Sequence, residues 1–278
     1  MLVWLGALTS AVVADMVSVN VFGLTPVLHM ANLHALPLLD YAWLPLFGIL
    51  LGLFGYVYQR ATLAAPKLFA GLTWLPRHYH FIVVFILMLP IGIWLPHLLG
   101  GGAGLILNPT TATASIGLLA LILVIRFAYS TLAFGSGVPG GIFLPILTLG
   151  AVAGALYGAI LVYFGWLQPT YVLDMMILGM AGYFASISKA PFTAIVLIAE
   201  MVGSMSHLVA MAMVALIAYL VVDFLGGEPI YESLLARLRL SDQLTKLRGR
   251  LEEMTIVVAP GSALEDAEVR QLQLPKGV

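Results

Sequence analysis

Uninterrupted apolar segments of about 18 to 25 residues recur through the first 225 positions of this chain, and each is long enough to cross a hydrocarbon layer of roughly 30 Å. That pattern excludes most folds before any motif is read. The sequence is 62% hydrophobic and 9% charged, against roughly 25% charged in soluble domains, and its mean hydropathy is +1.06. A β-barrel does not fit, because barrel strands alternate over about 10 residues while these stretches are continuous. The expected class is an all-α polytopic membrane protein.

The formal net charge of −1 hides an uneven distribution, since 11 of the 25 Asp, Glu, Lys and Arg residues fall after position 240. Between Phe81 and Gly227 only Arg126, Asp174, Lys189, Glu200 and Asp223 occur. The chain has no cysteine, hence no disulfide framework and no thiol nucleophile. Its six histidines show no metal-ligand spacing. No nucleophile with a paired acid stands in the apolar region, so an enzyme is not expected, and no basic groove suggests a nucleic acid partner.

Read along the chain, the pattern predicts a first helix at 2–22, a membrane helix rather than a signal peptide because no basic n-region or cleavage site accompanies it. Further helices are predicted at about 42–59, ended by Gln59 and Arg60, and at 81–99, with 63–80 as an interfacial segment. The Gly100–Gly104 cluster is too flexible to continue a helix and reads as a linker. Helices follow at about 116–134, 142–164, 172–187, 191–202, 207–225 and 229–238. Gly150, Gly154 and Gly158 form a small-residue face suited to close helix approach. Pro191 marks a helix start, and His207 opens the last long helix.

The most informative stretch is Gly135-Ser136-Gly137-Val138-Pro139-Gly140-Gly141. Irregular backbone in lipid is tolerated only where it is buried or lines a polar cavity. Gly140 and Gly141 would present bare N–H groups at the start of the helix beginning at Ile142, where the macrodipole adds about half a positive charge. That is an anion site without a basic side chain; a tight turn at a membrane surface is the alternative from glycine content alone. Glu200, an acid inside an apolar helix, is a functional candidate by position, although capping or pairing near the helix end accounts for it. Snorkelling or pairing likewise accounts for Lys189 and Arg126.

The wording of these stretches goes further. GSGVPGGIFLP at 135–145, GMAGYFASISKAPFTAIVLIAEM at 179–201 and GGEPIY at 226–231, in that order, resemble the CLC family of chloride channels and H+/Cl− exchange transporters. The resemblance covers about residues 1–238 and only the second half of the family's membrane domain. It implies broken, tilted helices of an inverted repeat, a homodimer with one anion pathway per subunit, and a multi-pass protein of the cell (cytoplasmic) membrane in contact with lipid. It also implies chloride as substrate rather than cofactor, with protons a second substrate if the chain works as an exchanger. By motif, the backbone amides of Ile142 and Phe143 and the hydroxyl of Tyr231 would bind the anion, with Gly140, Gly141 and Pro145 shaping the helix start. A phenol is a neutral donor that can hold an anion without trapping it; as an isolated residue, Tyr231 would read as an interfacial anchor.

The family's first half normally supplies a GSGIP serine, a gating glutamate in G-(K/R)-E-G-P and a second proton-relay glutamate, and none is in this sequence. Ser136 belongs to the second-half motif and does not replace that serine. A non-conducting fragment or half-subunit lacking the gate is therefore the alternative function. Arg237, Arg239, Lys246, Arg248 and Arg250 after the last span place the C-terminus in the cytoplasm by the positive-inside rule. The expected organisation is a membrane domain at 1–238, a cytoplasmic linker at 239–254, and at 255–278 a truncated small α/β tail. That tail resembles the opening of a TrkA-C regulatory module.

Overall fold

The structure is a computed structural model that describes residues 2–23, 26–30, 33–73, 75–137 and 140–236. The chain divides after Leu234 into two units, and the helical core lies in the first. The expected linker at 239–254 and tail at 255–278 lie outside the described residues.

All regular structure among the described residues is helical. The long elements are α1 Leu2–Phe22, α2 Leu44–Ala70, α3 His80–Trp94, the short α4 Ala103–Leu107, α5 Ile116–Gly135, α6 Phe143–Tyr163, α7 Val172–Ser188, α8 Pro191–Val202 and α9 Leu208–Phe224. A last helix, α10, covers 230–236. Among the described residues, five helical stretches are long and apolar enough to cross a membrane, and α3, α8 and α9 are shorter apolar helices.

α7 is the centre of the bundle, buried from Asp174 to Ile187 and packed between α6, α9, α2 and α8. An apolar helix without a polar face has to be enclosed by protein or lipid, and its small residues decide which. On α6, a Cβ at Gly154 would collide with the Met175 carbonyl, and one at Gly150 with the Gly179 carbonyl at 2.5 Å. The two backbones therefore touch along the predicted Gly150–Gly154 face. α1 is the opposite case, with none of its Leu5–Phe22 window buried.

Local chemistry explains most helix ends. Ser115 caps α5 by accepting from the Leu118 amide at 3.4 Å, as cap serines do. α8 starts on Pro191 and stops at Gly203, whose φ of 74° suits the left-handed helix end that glycine adopts freely. The main departure from expectation is α2, which does not end at Gln59 and Arg60 but runs to Ala70 through Pro66. Gln59 is buried and donates to the carbonyls of Ser186 at 3.2 Å and Ile187 at 2.9 Å, while the Arg60 guanidinium donates to Tyr56 one turn back at 2.7 Å. Both polar groups are satisfied within the helix or by its neighbour, so neither forces a stop. The interfacial segment expected at 63–80 is accordingly helix α2 as far as residue 70.

Candidate anion site

The predicted helix start is present. α6 begins at Phe143 with Ile142 as its N-cap, and the first amides of any helix have no intrahelical acceptor. Pro145 falls in the first turn, where a missing N–H costs nothing. The amides of Ile142 and Phe143 find no backbone acceptor among the described residues. Gly140 and Gly141 are exposed, and a Cβ at Gly141 would meet nothing within 4 Å, so the backbone there lies open.

It opens on a cavity of about 470 Å³ whose wall includes Gly140, Gly141, Ile142, Ser130 and Arg126 and is otherwise largely apolar, with Phe81, Phe85 and Phe134 among its lining residues. Among the described lining residues there is no carboxylate. Arg126 is 2% exposed near the middle of α5, not at a helix end. Its guanidinium donates to the carbonyls of Leu98 at 2.8 Å, Gly100 at 2.8 Å and Gly101 at 2.7 Å, and Nε has no partner. Neither snorkelling nor an acidic partner among the described residues accounts for it. Three carbonyl dipoles accept from its terminal nitrogens but carry no net charge, and a buried cation is strongly felt at short range in a medium of low dielectric. The field at this helix start is positive from two sources, the α6 dipole and Arg126.

The Gly100–Gly104 cluster is thereby more than the linker expected. Gly102 has φ of 90°, and a Cβ there would lie 2.5 Å from both the Arg126 Nη2 and the Thr148 Oγ1. Thr148 on α6 donates to the same Gly101 carbonyl at 2.9 Å. Only glycine allows the chain to bend tightly enough to aim consecutive carbonyls at one guanidinium.

Phe143 packs edge-on against Phe184 of α7, ring centres 5.5 Å apart, which fixes the first turn of α6. Tyr231, in the first turn of α10, is not in the cavity wall and is 43% exposed. It lies within electrostatic reach of Tyr58, whose phenol shares a 2.7 Å hydrogen bond with the cavity residue Ser130. Partial burial raises the Tyr231 phenol's pKa, keeping it a neutral donor. The structure thus brings Ile142, Phe143, Gly140, Gly141 and Pro145 together at the cavity and leaves Tyr231 outside its wall.

Sequence reasoning overlooked the Ser130–Tyr58 pair and the cage around Arg126. An arginine near the middle of an apolar helix, with a glycine cluster upstream, was the available signal for the second. Glu200 is exposed on α8 and forms neither the cap nor the ion pair expected of it among the described residues. His207 is the N-cap residue of α9, as predicted.

A bundle of apolar helices of this length defines a multi-pass membrane protein, and the glycine-proline start of α6 opens on the cavity that Arg126 lines. Residues 1–223 match the family described as voltage gated chloride channel, and the chain belongs to that family. The H(+)/Cl(-) exchange transporter ClcA of Vibrio parahaemolyticus serotype O3:K6 (strain RIMD 2210633) is 35% identical over 242 residues, which are 84% of this chain and 51% of that protein. The protein of the same name from Vibrio vulnificus (strain YJ016) is 33% identical over 245 residues, with the same shares covered. A slow cyanobacterial Cl−/H+ antiporter of solved structure superposes with a TM-score of 0.66 at 28% identity, over 77% of this chain and 51% of that one. A eukaryotic CLC transporter gives 0.56 at 23% identity, over 70% and 35%, a likeness of fold alone. The chain spans about half the length of the curated relatives it matches.

Proposed function

We propose that this chain forms the second half of a chloride-transporting membrane domain, working as a channel or Cl−/H+ exchanger rather than as an enzyme. Chloride is held by the backbone amides of Ile142 and Phe143 and by the hydroxyl of Tyr231, with Gly140, Gly141 and Pro145 shaping the helix start. The observation that carries this reading is the opening of the α6 start onto a cavity that the buried Arg126 lines. Neutral donors replace part of the ion's hydration shell and hold it weakly enough to let it leave. Arg126, already engaged by three carbonyls, supplies attraction without a mobile side chain that could trap the ion.

The relatives' names as H(+)/Cl(-) exchange transporters favour protons as the second substrate. The protein sits in the cell membrane with its C-terminus in the cytoplasm, a placement supported by the cluster Arg237, Arg239, Lys246, Arg248 and Arg250 after the last apolar helix. It works as a homodimer in lipid, and the outward apolar side chains of Phe192, Val196, Val209 and Leu220 give lipid or a second subunit something to cover. The C-terminal segment from residue 255 acts as the start of a TrkA-C-like regulatory module.

Chloride titration by calorimetry on the full-length protein tests the reading. Replacing Tyr231 by Ala should weaken binding by about tenfold, the scale of one hydrogen bond to a charged group, with the helical content unchanged. Unaltered affinity would remove Tyr231 from the site.

A further inference from the structure

We infer that Lys189 is a positioning residue for Tyr231, acting through the Gly226–Gly227 turn that carries the tyrosine into place. The inference rests on Tyr231 contacting the anion, as proposed above. Lys189 is the single non-glycine residue with positive φ among the described residues, at 55°, where an L side chain is strained and glycine is not. The next helix end in the chain, after α8, uses Gly203 for the same conformation. A lysine in such a conformation points to work done by its side chain.

That side chain reaches across the bundle. Its ammonium lies 2.6 Å from Asp223 Oδ1, donates to the Gly227 carbonyl at 3.1 Å, and stands 5.8 Å from the ring centre of Tyr219. It is 17% exposed on the side-chain scale. Asp223 sits in the last turn of α9, where the helix dipole disfavours a negative charge, so the lysine offsets a carboxylate that would otherwise weaken this helix end. The turn itself is tight: Gly226 has φ of 69°, and its amide and that of Gly227 bond back to Asp223 at 3.0 Å and Val222 at 2.9 Å.

Gln59 of α2 packs against the same turn. While its amide nitrogen caps the carbonyls of Ser186 and Ile187, its Oε1 lies 2.8 Å from where a Cβ on Gly227 would stand. α10 starts three residues later with Ile230 fully buried, and Ser233 bonds back to the Pro229 carbonyl at 3.1 Å. The Tyr231 hydroxyl makes no hydrogen bond to the described residues, so the place of its phenol is set by the backbone that carries it. The break between α7 and α8, through Lys189, is what anchors that backbone to the bundle.

The experiment is a double-mutant cycle on chloride affinity in the full-length protein, read by calorimetry, with thermal melting alongside. Lys189→Met should weaken chloride binding by about tenfold, and by less than about twofold when Tyr231→Phe is already present, because residues acting as one unit are not additive. Lys189→Gly relieves the backbone strain as it removes the ion pair, so its melting temperature should fall less than that of Lys189→Met while the same affinity is lost, which a purely structural role for Lys189 does not allow. Full additivity with an effective Tyr231→Phe, or wild-type affinity in Lys189→Gly, would overturn the inference alone. A Tyr231→Phe variant with unchanged affinity would overturn the anion role of Tyr231 and this inference with it. Should Lys189→Met fail to assemble, Asp223→Asn breaks the same ion pair from its exposed side and must show the same non-additivity.

Discussion

The carboxylate of Asp174, at the start of α7, and the imidazole of His207, at the start of α9, meet at 2.8 Å between Oδ1 and Nε2, with side chains 0% and 1% exposed. The backbone of His34 joins both: its amide donates to Asp174 Oδ1 at 3.2 Å and its carbonyl accepts from His207 Nε2 at 3.1 Å. Ser204 Oγ lies 3.4 Å from Nδ1. The segment between α1 and α2 is stitched to the same end of the bundle by the Leu28 amide, which donates to the Met201 carbonyl at 2.8 Å, and by Pro26 against Gly203. One buried ion pair thus ties three parts of the chain that are far apart in sequence.

This pair should make stability depend on pH. The hydrogen bond that His207 donates to Asp174 lifts the His207 pKa above its ordinary 6.5, against the opposing effect of burial. A raised folded-state pKa contributes stability that is fully present below the unfolded value and is lost as pH rises through the folded one. Melting temperatures of the wild type and His207→Gln should therefore differ most below about pH 6.5 and converge as pH is raised. Asp174→Asn should cost roughly 3 kcal/mol at acidic pH and flatten the dependence. A gap that stays constant from acid to alkaline pH would mean that the pair does not titrate in this way.

Arg126→Gln should lower stability by about 1–3 kcal/mol, since it strands part of the carbonyl cage around the lost guanidinium, and should also weaken chloride binding. Arg126→Lys should recover little of either, because a point-like ammonium cannot span three carbonyls as a planar guanidinium does. Melting and chloride titration on the same samples separate the two losses. Full recovery by lysine would show that charge alone matters at this position.

The α6–α7 contact leaves no room for a methyl group. Gly154→Ala places a carbon against the Met175 carbonyl and should destabilise by about 1–3 kcal/mol. Gly6→Ala on α1, where nothing lies within 4 Å, is the matched control and should be neutral or slightly stabilising, as alanine is the better helix former. Comparable losses in the two variants would mean that glycine content, and not close approach, determines the effect.

Much of the helical layout was legible beforehand. The start of α6, the Pro191 start of α8 and the glycine face of α6 were read correctly because proline, glycine and helix-start chemistry act over a few neighbouring residues. The end of α2 was misread because polar residues at 59 and 60 look like an interface until Gln59 is seen capping α7. Gly100–Gly104 and Arg126 read separately as a linker and as a snorkelling or paired cation, although each accounts for the other.

What the sequence by itself determined is the class of structure and where its helices break. Spanning roughly 30 Å of hydrocarbon demands long apolar helices, and the glycine-proline runs that interrupt them state their own conformational needs. Only the tertiary structure decided the partners of Arg126, Asp174, Lys189 and His207. A buried charge is stabilised by whichever helix ends and carbonyls surround it, and those come from segments distant along the chain that meet only when the bundle closes.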